Sequence, residues 1–314
     1  MKYILGLPTD QVQLIEEFGT AEAIAEIASK AETFGYHGVF VTDHPIPPAS
    51  FISAGGHHTL DPMVVLAAAA TATNGLKILT NLLIVAYRNP FLAAKSIATL
   101  DSISNGRLIL GVGAGYLKEE FEAAGVPFET RGETLNNHLE TMQQVWSGEP
   151  VSIEGDSYEA KEVVALPKPT KQSGQYSPPI WVGGNSSNAI DRVVRFGQGW
   201  IPMPTPKGID KFVKTSPITD LDSLEKRINS LMDKWNQNSR AGKPNIAIGP
   251  WDAGYFGTNS WDPETYSTRI DQLTGLGVTH VPIMLSGLGS DSGATRAGFL
   301  ERVESFAEFA GLLG

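Results

Sequence analysis

The chain has 314 residues, 41% of them hydrophobic and 18% charged, the proportions of a folded enzyme with one large core. A formal net charge of -10 argues against a nucleic-acid partner, and zero cysteines exclude disulfides and thiolate metal sites. No apolar run reaches membrane-spanning length, and Met1-Lys2-Tyr3-Ile4-Leu5 reaches Gly6 and Pro8 before a leader-like core develops, so no membrane contact and a cytoplasmic location are expected.

Eight short apolar runs have strand character, at 3–7, 38–42, 77–83, 108–112, 179–182, 199–203, 245–248 and 280–285. Segments of helical spacing alternate with them. The first, 21–34, places Ile24, Ile27, Ala28 and Ala31 on one face and stops at Gly35. Asp61-Pro62 and Asn89-Pro90 each pair an N-cap residue with proline at the first helical position, opening helices at 62–72 and 91–104. Further helices are expected at 131–146, 187–196, 221–240, 263–276 and 294–313. Strand–helix alternation repeated eight times predicts an α/β fold, a (β/α)8 TIM barrel spanning 1–314 as a single domain. A doubly wound sheet fits less well, because the first strand ends in Leu7-Pro8-Thr9 with no glycine-rich turn. Two excursions, 149–177 with a hairpin near Glu154-Gly155-Asp156, and 202–220, are expected to fold over one face as a partial lid.

In such a barrel the chemistry sits at the C-terminal ends of the strands. The second strand ends in Asp43-His44, where histidine is easily poised near neutral pH and an adjacent carboxylate is able to hold its tautomer. His57 and His58 lie in a glycine-flanked loop and read as solvated or substrate-side groups, whereas His37, His138 and His280 read as structural. The third strand carries Asn81 and Leu82. The fourth runs into Gly111, Gly113, Ala114, Gly115 and Tyr116, either a close-approach floor for a flat ring or a tight turn. Tyr116 at the sixth position makes this a weak dinucleotide fingerprint. The fifth strand ends in Gly183-Gly184-Asn185-Ser186-Ser187 ahead of a helix, an anion site or an ordinary serine cap. Met203 follows the sixth strand, and Lys207 is available to add a positive charge. There is no His-x-His, His-Glu-x-x-His or Gly-x-Ser-x-Gly pattern, so neither a metal site nor a serine hydrolase is expected.

Taken together, 39–48 (VFVTDHPIPP), 59–72, 80–95 (TNLLIVAYRNPFLAAK), 100–146 and 180–204 resemble the bacterial luciferase-like family of barrel oxidoreductases, closest to its coenzyme F420-dependent branch. The resemblance implies a deazaflavin at the barrel mouth, held against a bulge in the third strand with a cis peptide between Asn81 and Leu82. It makes His44 the catalytic residue, facing the reactive edge of the ring. The cofactor-binding set is Asp43, Asn81, Leu82, Gly113, Ala114, Tyr116, Gly183, Gly184, Asn185, Ser186, Ser187 and Met203, with the phosphate at 183–187. Tyr116 replaces the catalytic glutamate of the sugar-phosphate dehydrogenase branch, and Ala114 the arginine that holds the flavin phosphate in bacterial luciferase. The expected function is hydride transfer between F420 and a small organic substrate; the alternatives are an FMN-dependent monooxygenase and a non-catalytic cofactor-binding protein. Homodimerisation is implied by the same resemblance. Phe51, Ile52, Trp251, Tyr255, Phe256 and Trp261 read as an apolar pocket lining or as core.

Overall fold

The computed structural model describes residues 1–155, 158–172, 174–205, 215–285 and 295–313. Its eight main strands are β1 (Lys2–Gly6), β2 (Gly38–Val41), β3 (Lys77–Thr80), β4 (Leu108–Val112), β5 (Ile180–Gly183), β6 (Gly199–Ile201), β7 (Asn245–Ile246) and β8 (His280–Ile283). All pair in parallel, in the order β7-β6-β5-β4-β3-β2-β1-β8. A bridge between Ala247 and His280 joins the two ends, so the sheet closes into the expected (β/α)8 barrel. β3, β6, β7 and β8 stop two or three residues before the apolar runs do, because past those points the chain leaves the ladder to build the mouth.

The helices relevant here are α1 (Ala21–Thr33), α2 (Pro62–Thr71), α3 (Pro90–Ile103), α4 (Arg131–Val145), α5 (Ser187–Phe196), α6 (Leu221–Gln237), α7 (Pro263–Gly275) and α8 (Arg296–Phe309). Asp61 caps α2 through the amides of Met63 and Val64, and Asn89 caps α3 through those of Phe91 and Leu92. Short helices at Ala49–Ser53 and Lys118–Ala123 lie in the mouth loops. No described helix is long and apolar enough to cross a membrane. Ile4, Phe40, Leu79, Ile109, Trp181, Ile201 and Ala247 fill the barrel interior, and a larger apolar layer lies between strands and helices.

The first excursion forms the expected hairpin, pairing Val151–Gly155 with Tyr158–Val163; Asp156 lies outside the described residues. It does not cover the mouth. Tyr158 meets Thr141 and His138 of α4 and Phe91 of α3, and further on Thr170 donates its amide to Asp101 at the end of α3. The half-buried side chains of the hairpin find apolar cover on those helices, and this draws it to the flank of the barrel. Lys207 lies outside the described residues.

At the N-terminal end of the barrel His280 packs edge-on against Trp181, with ring centroids 4.7 Å apart, and lies 5.2 Å from the His37 ring. Burial lowers the His37 pKa to about 4 and the His280 pKa to about 3, and in the mouth loop it lowers the His57 pKa to about 4. The unfolded chain therefore binds more protons than the folded one from about pH 6.5 downward to those values. The resulting stability is complete above about pH 6.5 and is lost as pH falls through that window. Urea unfolding at about pH 7.5 and about pH 5 is expected to give the lower midpoint at the lower pH. Equal midpoints would refute buried neutral histidines.

Candidate active site

The mouth is organised by an irregularity in β3. From the pair Leu79–Ile109 to the bridge Leu83–Val112, one chain advances four residues and the other three, which defines a bulge. The peptide between Asn81 and Leu82 within it is cis, as expected. Leu83 returns to the ladder, donating its amide to Gly111 at 2.8 Å and accepting from Gly113 at 3.2 Å.

The bulge changes the meaning of the glycines. A Cβ on Gly113 would lie 2.9 Å from Leu82 Cδ1, and one on Gly183 would overlap the same methyl. Gly111 makes room for the Thr80 carbonyl, and Gly115, at φ +78°, for the Phe121 ring. The space left by the missing side chains is filled by the chain itself, so these glycines are close-packed. Half-buried Leu82 becomes the apolar surface presented there.

His44 follows β2 and is held at both nitrogens. Nδ1 is 3.3 Å from Glu120 Oε2, and Nε2 is 3.2 Å from the Tyr116 hydroxyl. Glu120, on the short helix Lys118–Ala123, is only 2% exposed. Its Oε2 also accepts from the Tyr87 hydroxyl at 2.9 Å, and its Oε1 accepts from the Ile46 amide at 3.2 Å. Such a carboxylate orients the imidazole and fixes its tautomer. Burial, then the Glu120 charge, push the Tyr116 phenol up to about 12, and the same two causes raise Tyr87. Phe51 and His57 pack on the His44 ring with centroids 5.3 and 5.0 Å away, and His57 Nε2 lies 3.3 Å from Thr42 Oγ1.

Asp43 does not hold the histidine as the sequence suggested. Its carboxylate pairs with both terminal nitrogens of Arg88, at 2.7 and 2.9 Å, and accepts the Ile84 amide at 2.9 Å. It braces the segment after the bulge.

At the end of β5, Gly184 adopts φ +102°. Asn185 is fully buried, donating to the carbonyls of Met203 and Ser216 and accepting the Met203 amide. Its side chain joins two loops. Ser186 caps α5 through the Ala189 amide, Ser187 opens the helix in solvent, and Met203 is exposed. Phe256 and Trp261 also move out of the expected pocket: they pack on Phe306 and Phe309 of α8. Trp251 lies over the Arg269 guanidinium and Tyr255 is exposed. Among the described residues no group of three or more His, Cys, Asp or Glu is arranged to hold a metal ion.

Glu120, Tyr87 and Arg88 were not singled out from sequence. Glu120 lies 76 residues from His44 in sequence, so no local spacing pointed to it.

A family model described as luciferase-like monooxygenase matches residues 1–214. An uncharacterised protein of Mycobacterium tuberculosis is 29% identical over 293 residues, covering 89% of this chain and 92% of that protein. An F420-dependent glucose-6-phosphate dehydrogenase of Amycolatopsis mediterranei is 29% identical over 190 residues, covering 59% of this chain and 54% of that enzyme. Among solved structures, a monooxygenase from Streptomyces bottropensis aligns with a TM-score of 0.74 at 19% identity, covering 98% of each chain. An F420-dependent secondary alcohol dehydrogenase in complex with an F420-acetone adduct aligns at 0.68 and 17%, covering 100% of each.

Proposed function

The chain belongs to the luciferase-like monooxygenase family, and from that premise we propose that it is a hydride-transfer enzyme using the deazaflavin coenzyme F420 on a small organic substrate. It is an oxidoreductase, and its relatives support a deazaflavin or flavin cofactor. The observation that carries the finer reading is His44, fixed between the buried Glu120 carboxylate and the Tyr116 hydroxyl beside the β3 bulge.

The residues present suit a flat ring with an anionic tail. Leu82, set into the notches of Gly113 and Gly183, offers an apolar seat, with half-buried Asn81, Ala114 and Tyr116 around it. The start of α5 at Ser186 and Ser187 offers backbone amides and a helix dipole to the tail. A deazaflavin, when bound, accepts or supplies a hydride at its C5. The protein contributes position and polarity: Leu82 supports, while Glu120 orients His44 and the His44–Tyr116 pair handles charge and protons at the reacting end.

Absence of the phosphate-holding arginine at Ala114 supports the deazaflavin over FMN. Arg131 is turned inward to the carbonyls of Gly115 and Phe128. Equilibrium titration of the purified protein with F420 and with FMN is expected to show tighter binding of F420; tighter FMN would overturn the assignment. The same reading has the protein acting as a homodimer, for which exposed Val64 and Leu92 on α2 and α3 offer apolar surface.

A further inference from the structure

We propose that the N-terminal end of the barrel, opposite the mouth, carries a second binding site. It takes a phosphate group, either as the free ion or on a small phosphorylated metabolite. This site stands independently of the cofactor reading above.

Four neighbouring strands each bring a basic side chain to that end. Lys2 of β1 stands beside His280 of β8 in the ladder, Lys77 of β3 stands beside Gly38 of β2, and His37 immediately precedes Gly38. The His37 amide donates to the Tyr3 carbonyl and the Lys77 amide to the His37 carbonyl, which stitches the segments side by side. Adjacent strands lie about 4.8 Å apart, and alternation puts Lys2 on the face of Ile4 and Lys77 on that of Leu79. Both of those apolar residues fill the barrel interior. Gly38 between them adds no side chain; a Cβ there would lie 3.0 Å from that of Lys77. The rings of His37 and His280 are 5.2 Å apart. A cavity of about 340 Å³ opens beside this row, with Lys2 and His37 in its wall. Sites for small molecules span roughly 300–1,000 Å³. Tyr3, Tyr36 and Leu76 give the cavity a buried side against which a small organic body fits.

The charge balance points to an anion. The chain carries -10 overall, yet cations crowd together at this end. Among the described residues neither Lys2 nor Lys77 forms an ion pair. The acids nearby are held by backbone amides: Glu32 accepts those of Asn74, Gly75 and Leu76, and Asp101 accepts that of Thr170. Arg107 is used by the carbonyls of Ala70, Leu76 and Ser104 and by Thr73 Oγ1. Burial, then the surrounding cations, lower the pKa of both Lys77 and His37. Two ammonium groups offer two charges and up to six donors. A phosphate group, with about two negative charges and three acceptor oxygens, complements them. A carboxylate has one charge and two oxygens, and leaves half of the set unmet.

Thermal unfolding of the full chain at fixed ionic strength tests this, with inorganic phosphate and glycerol 3-phosphate as probes and acetate as the monoanion control. A phosphate probe that binds here, at about ten times its Kd, is expected to raise Tm by about 2–4 °C, and acetate by less than about 1 °C. The tighter of the two probes separates a phosphorylated metabolite from the free ion, and either result supports the site. Lys2→Gln combined with Lys77→Gln is expected to weaken binding by about tenfold or more. Its Tm without phosphate is expected to hold or rise, since like charges are removed. Lys226→Gln on α6, an exposed position, is expected to leave binding unchanged. In wild type the His37 ring resonances are expected to move as phosphate is added. No Tm shift with either probe, or an undiminished shift in the double variant, would overturn the site. So would a rise in Tm with His37 resonances unmoved, which places the anion elsewhere. An acetate shift equal to that of phosphate would overturn the ligand class. Should the double variant fail to fold, the His37 resonances of wild type decide.

Discussion

His44→Ala is expected to lower kcat by about 10²- to 10⁴-fold, the usual range for losing a positioned proton-transfer group. The reason lies in the geometry on both sides of the ring. Without the imidazole, Tyr116 loses its link to Glu120, because the two hydrogen bonds at 3.2 and 3.3 Å meet only through His44. Glu120 keeps Tyr87 and the Ile46 amide, but with its Nδ1 partner gone the loss also costs about 1–3 kcal/mol of stability. Cofactor affinity is expected to change little, since Leu82 and the start of α5 are untouched. Steady-state kinetics, with a deazaflavin titration on the same preparation, separate the two effects. Unchanged turnover would remove His44 from the mechanism.

Asp43→Ala is expected to destabilise the fold by about 3–5 kcal/mol, the cost of removing one partner from a buried ion pair. The Asp43 side chain is 1% exposed and that of Arg88 23%, so the guanidinium would remain largely desolvated with its bidentate partner gone. The Ile84 amide would lose its acceptor as well. Asp43→Asn keeps an oxygen for that amide and is expected to cost less than the alanine variant. Urea denaturation of both gives the order. A loss below about 1 kcal/mol for Asp43→Ala would show that the pair is as weak as an exposed one.

Local features could be read from the sequence to the extent that their physics is local. Proline at the first turn behind Asp61 and Asn89 located two helices, because capping is settled within three residues. Apolar runs separated by helical spacing gave the barrel for the same reason. His44 could be found because strand ends in this architecture converge on one face. Its support could not. Glu120 is 76 residues from His44, and Arg88 is 45 from Asp43; in sequence the nearest carboxylate to His44 was Asp43, and the fold directs it elsewhere. The glycines were legible only in part: a missing Cβ says that something comes close, and at Gly113 and Gly183 the sequence did not show that Leu82 does. Asn185 shows the same ambiguity, a polar residue at a strand end whose hydrogen-bonding capacity is used internally.

The seat of Leu82 between Gly113 and Gly183 also constrains the order in which this mouth can evolve. Alanine at 183 meets the Leu82 methyl where it now sits, so the leucine must turn aside or be trimmed to admit it. If residue 82 is trimmed first, the notch opens and the glycine is released to change. Of the two paths between the same end states, one crosses an overpacked intermediate and the other a cavity that a larger neighbour then fills. Trimming residue 82 first is therefore the less strained route to a reshaped seat, and the depth of the mouth is set by a pair of positions.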